Sequence, residues 1–403
     1  MTVAPSTQNV ELKHTLDDEV ADVSFRVRAA YADLINALPE AGARPVDLQR
    51  VLGINKKLAW QVHRVATAQV PLNAGMCVPG VSASKQVIRA AAKNGVEKEI
   101  TDRFVTATDD FHKAVERHAD DRSAFELMVR SLTGEGLRGH ELELKRSAFR
   151  VNREIYGKCC DVDFASIIVA PCAREGGTCV TSLRGLVNLR RLRPNVSLEI
   201  AKDNFTSESP ISPRLPIDAA LADDTQAVPL LTEFCHQPVP RISRHTTSDG
   251  LRRSFAETEG LGWASAATCF LGDVVSGIPL SGVAGNIVHD VATPASLLIY
   301  DCLIDERLVG DVYPELRVIG KKADALAWPG EDDSVLIPGH EQVAAMGTGV
   351  AAVSTAELPR YPEMLSYACD RLRLEADRLK LFRVSIEYPV LHSVVWMRFN
   401  LTD

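Results

Sequence analysis

"RPVDLQRVLGINKKLAWQVHRV", residues 44–65, sets two short apolar repeats around Gly53-Ile54-Asn55. Val46, Leu48, Val51 and Leu52 share one helical stripe, and Leu58, Val62 and Val65 share another. A link of three residues cannot let two helices run on as one rod, so the spacing predicts two short helices that cross. Gly53 suits the turn because glycine enters the left-handed region without a Cβ clash. Asn55 is placed to cap the second helix, which opens on the cations Lys56 and Lys57.

Charge gathers around this stretch. Residues 24–70 carry Arg26, Arg28, Arg44, Arg50, Lys56, Lys57 and Arg64 against Asp33, Glu40 and Asp47, a balance of +4. The whole chain of 403 residues has a formal charge of −8, which leaves −12 for the remainder. Such a balance excludes a protein basic all over. It is compatible with one basic module on an acidic body, because the local field decides what a surface attracts.

The stretch resembles the helix-turn-helix DNA-binding proteins, bacterial transcription regulators in particular, over about residues 44–65. Leu48 and Leu52 fit the buried positions of that motif's first helix, Gly53 its turn, and Ile54 and Val62 the buried positions that follow. Two positions depart from it: Gln49 stands where a small residue is usual, and Ala59 where a larger aliphatic is. The resemblance implies a double-stranded DNA partner and makes "NKKLAWQVHRV" the recognition helix. Its implied DNA-binding residues are Arg44, Asn55, Lys56, Lys57, Trp60, Gln61 and Arg64. The lysines would meet phosphates or guanine edges, and Gln61 an adenine. Trp60 would touch sugars and thymine methyls or pack on a neighbouring helix, with packing the favoured reading. Regulators of this type pair two heads on adjacent half-sites, so a homodimer with a small-molecule or protein effector is expected.

The rest of the chain frames that module. Hydrophobic residues at 46% and charged residues at 24% match a soluble globular protein of two or three domains. Residues 1–20 read as a disordered arm, 21–70 as the helix-turn-helix domain, and 71–157 as a helical linker or dimerisation region. Residues 158–403 read as a mixed α+β ligand-sensing or oligomerisation domain, so the overall class is α+β. Helices are expected from Ser24 to Pro39, over 82–95, 96–121, 122–132 and 140–157, with a breaker-rich connector at 71–80. The heptad-spaced Phe104 and Phe111 are expected to pack within one subunit. Strands are expected at 160–170, 296–304, 381–388 and 393–401, the last two as neighbours joined by a short turn. "SLRGLVNLRRL" (182–192) and 362–380 read as helices, and 203–260 and 321–360 as long loops.

Other signals are thin. The N-terminal residues lack the apolar core of an export signal, and runs such as "ASIIVA" (165–170) are strand-sized, so a cytoplasmic protein without a membrane span is expected. Nine cysteines, an odd number, read as reduced thiols. Cys159, Cys160, Cys172 and Cys179 lack the spacing that grips zinc, and no metal or cofactor is expected. "GTGVAA" (347–352) lacks the third glycine and a preceding strand, "GHEQV" (339–343) lacks a second histidine, and Cys235 beside His236 makes a poor catalytic pair. The basic runs 145–153 and 184–193 read as solvated faces. The rival readings are an enzyme of unknown reaction with its site in the C-terminal part, and a scaffold whose N-terminal helices dock another protein.

Overall fold

The computed structural model describes residues 8–38, 44–68, 71–119, 121–133, 136–172, 177–204, 215–218, 228–247, 250–256, 260–278, 287–308, 313–320 and 336–399. The chain is mixed α+β: helices come first, and strands follow. It divides into two compact units, Met1–His140 and Glu141–Asp403.

In the first unit, α1 (Gln8–Asn36), α2 (Pro45–Leu52), α3 (Lys56–Thr67), α4 (Pro71–Cys77), α5 (Val81–Lys93), α6 (Lys98–His118) and α7 (Arg122–Thr133) surround one core. Tyr31 of α1 meets Phe104 of α6 with ring centroids 4.4 Å apart, and Phe111 of α6 meets Phe125 of α7 edge-on at 5.3 Å. The heptad phenylalanines are thus fully buried within the subunit. Three expectations are corrected here. The arm 1–20 is helical from Gln8 onward, residues 1–7 lying outside the described residues. The connector 71–80 contains α4, in which proline takes the first position, where its missing N–H costs no helical bond. The boundaries expected at 70 and 157 do not match the units, because one apolar cluster runs from Val20 of α1 to Val129 of α7.

The second unit includes most of α8 (Leu137–Tyr156), then β1 (Lys158–Pro171), β2 (Thr178–Arg191), β3 (Leu198–Asn204), β4 (Leu215–Pro216), β5 (Ile242–Thr247) and β6 (Gly250–Phe255). It continues through β7 (Ala267–Ile278), β8 (Ile287–Asp290), β9 (Ala295–Asp305), β10 (Glu315–Gly320), β11 (Ala344–Thr348), α9 (Tyr361–Leu372), β12 (Leu379–Glu387) and β13 (Ser393–Arg398). The main sheet runs β11-β12-β9-β1-β2-β7-β4, with β1 and β9 parallel and the other pairs antiparallel. Helix α9 covers one face through Tyr361, Met364 and Leu365; the sheet β10-β13-β8 covers the other through Val395 and Met397. A third sheet, β3-β6-β5, packs Leu198 and Phe255 against Leu189 and Cys269.

Several strand-region expectations change. Residues 182–191 form β2, not a helix. The helix expected over 362–380 stops at Leu372, and Leu379 already opens β12. β12 and β13 are not paired; each lies in a different sheet. The expected loop 203–260 holds the β5–β6 hairpin, and a strand, β11, does precede Gly349, although only a short 3₁₀ turn follows it. Cys172 and Cys179 form a disulfide across the β1–β2 hairpin, which corrects the expectation of nine reduced thiols; the other seven are free. Among the described residues no helix is long and apolar enough to cross a membrane.

Candidate nucleic-acid interface

Helices α2 and α3 are built as their residues require. Arg44 is extended, as a residue before proline must be, and Pro45 starts α2. Leu48 and Leu52 bury beneath it, at 0% and 5% exposure. Gly53 ends α2 in the left-handed conformation, at φ 62° and ψ 30°. Ile54 drops into the core, and the Asn55 side chain accepts a 2.9 Å hydrogen bond from the Leu58 N–H, capping α3. Leu58, Ala59, Val62, Val65 and Ala66 form the buried face of α3. Ala59 is fully enclosed, so this packing has no room for the larger aliphatic of the motif.

That burial turns a cationic face outward. Lys56, Lys57 and Arg64 are exposed, and Gln61 is half-buried beside them. Trp60 corrects the favoured packing reading: it is 47% exposed, and the Arg64 guanidinium lies over its ring, 5.6 Å from the centroid. Arg44 sits apart, before α2, where it donates to the Asp47 carboxylate at 3.1 Å and holds that group below its usual acidity range. Asn55 uses one lone pair of its Oδ1 on the cap and keeps both amide N–H donors for a ligand. Lys56 and Lys57 lie at the positive end of the α3 dipole with no acidic residue in the first turn, an unfavourable place for cations. No ion pair of a described residue neutralises Lys56, Lys57 or Arg64.

Most cations of the other basic runs have partners within their own unit. Lys145 pairs with Glu141 and Glu341, and the guanidiniums of Arg146 and Arg153 lie over Tyr388 and Phe149. Arg184 reaches Asp273 at 2.9 Å, and Arg190 reaches Asp161 at 2.7 Å.

The Cys235 thiol is buried, donates to the Leu231 carbonyl, and is pushed up by burial, while His236 is exposed. His340 lies 2.6 Å from the Glu141 carboxylate. Among the described residues no cluster of His, Cys, Asp and Glu could hold a metal ion. Asp301 and Arg383 form a two-pronged ion pair at 2.7 and 2.8 Å, but both lie buried between the main sheet and α9.

One basic element has no counterpart in the motif. The exposed face of α5 carries Lys85, Arg89 and Lys93. The signal for it lies in plain composition: residues 48–96 contain no aspartate or glutamate at all. Comparison with protein-family models, with curated proteins and with solved structures returned no match.

Proposed function

We propose that this protein is a DNA-binding transcription regulator whose α2–turn–α3 segment is a helix-turn-helix, with α3 as the recognition helix in the major groove. The observation that carries the reading is the outward face of α3. Its cations Lys56, Lys57 and Arg64 are exposed and without an ion pair among the described residues, on a helix whose other side is locked into the core. Phosphate oxygens would supply the charge that the first turn of α3 lacks. Trp60 and Gln61 are the side chains positioned to meet sugars and base edges. The α+β unit is assigned to effector sensing, dimerisation or both, and the setting of the protein to the cytoplasm.

The test is a gel-shift titration over a range of salt with the K56A/K57A/R64A protein. Duplex binding should weaken, and the slope of log K against log salt should flatten by about 0.9 for each phosphate no longer neutralised. Binding and slope equal to those of the parent would reject α3 as the DNA-contacting helix.

A further inference from the structure

Residues 48–96 hold seven lysines and arginines, Arg50, Lys56, Lys57, Arg64, Lys85, Arg89 and Lys93, and not one acidic residue. All seven side chains are exposed. Neighbouring α6 carries an exposed face of mixed sign in the same unit. Its exposed residues carry both signs, with Lys98, Glu99, Asp102 and Arg103 in its first turns, and Arg103 pairs across to Asp33 at 3.4 Å. One-signed exposure sets the 48–96 run apart from that face.

The helices of this run are neighbours. Helix α2 packs against α3 and also touches α5. With interaxial distances of roughly 8–10 Å per packed pair, α5 lies within about 16–20 Å of α3. A helix seated in a groove about 12 Å wide leaves the bounding backbone strands within that reach. On α5, Lys85, Arg89 and Lys93 recur every fourth residue and so share one face. Each step advances about 6 Å along the helix, close to two phosphate rises of about 3.4 Å on a strand. Gln86, also exposed beside them, adds a neutral donor.

We propose that Lys85, Arg89 and Lys93 form a second contact strip that grips the phosphate backbone of duplex DNA while α3 occupies the groove. The proposal rests on the DNA-binding reading above. Its chemistry is that of charge neutralisation: the strip lends affinity and fixes register without reading sequence.

The experiment compares full-length K85A/R89A/K93A with K56A/K57A/R64A and the parent on a selected target duplex and on random-sequence duplexes. The α5 variant should lose the same factor of affinity on both, and its salt slope should flatten by up to roughly 2.7, or about 0.9 per phosphate. Its preferred sequence, recovered by selection from a random pool, should match the parent's. Parental affinity and slope for the α5 variant beside weakened binding by the α3 variant would overturn the strip and leave the α3 reading standing. Parental behaviour of both variants would remove both. A changed sequence preference in the α5 variant would overturn the backbone role. Should the alanine variant misfold, lysine acetylation of the parent serves instead: bound duplex should protect Lys85 and Lys93 together with Lys56 and Lys57. Protection of the second pair alone would overturn the proposal.

Discussion

Lys56 and Lys57 sit where helix electrostatics disfavours them. Each cation in a first turn costs about 0.3–1 kcal/mol against the dipole, and an acid in its place gains a similar amount. A fold selected for stability alone would put Asp or Glu there, next to the Asn55 cap. K56E/K57E should therefore raise the stability of the protein by about 1–4 kcal/mol in urea unfolding followed by circular dichroism, while abolishing duplex binding. A loss of stability would mean that the lysines hold the fold together, and the functional reading of them would fail. At this scale the residues were largely legible. The positive φ of Gly53, the Asn55 cap and the inward Leu58, Val62 and Val65 follow from local chemistry within a few residues. Trp60 was not, because whether a ring finds a pocket depends on what the rest of the chain brings there.

At the scale of elements, β2 shows why pattern reading fails. Leu183, Leu186 and Leu189 recur every third residue, which mimics a helix. In the fold, a bulge between Leu186 and Leu189 breaks the alternation of a strand flanked by β1 and β7. Two of its arginines, Arg184 and Arg190, are neutralised by Asp273 and Asp161, neither of them close in sequence. The same dependence on distant partners governs the β9–β12 pair. Asp301 is fully buried, and burial holds its carboxyl above the usual value of 3.8 even beside the Arg383 guanidinium. R383M should then cost about 3–5 kcal/mol in chemical unfolding by stranding that carboxylate, and D301L/R383M should recover most of the loss. An R383M protein as stable as the parent would show that the pair contributes nothing to holding β12 on β9.

For the whole molecule, the formal charge of −8 resides in residues 141–403, while residues 1–140 balance to zero. The positive run 48–96 is thus offset within its own unit, chiefly by acids on α1 and α6. Two heads on half-sites about 34–36 Å apart require two copies of the chain, so the full-length protein should sediment as a dimer at micromolar concentration. A monomer there would overturn the paired-head arrangement. Phe104 and Phe111 are consumed by their own core and leave that role to other surfaces. What the sequence determined alone was the helical first part, the hinged pair α2–α3, the most apolar strands and the concentration of cations. All of these depend on interactions between residues a few positions apart. The order of the sheets, the strand character of β2, the Cys172–Cys179 bond and the adjacency of α5 to α2 came from the tertiary structure. They depend on which distant segments meet, and a pairing across a hundred residues leaves no period in the chain to read.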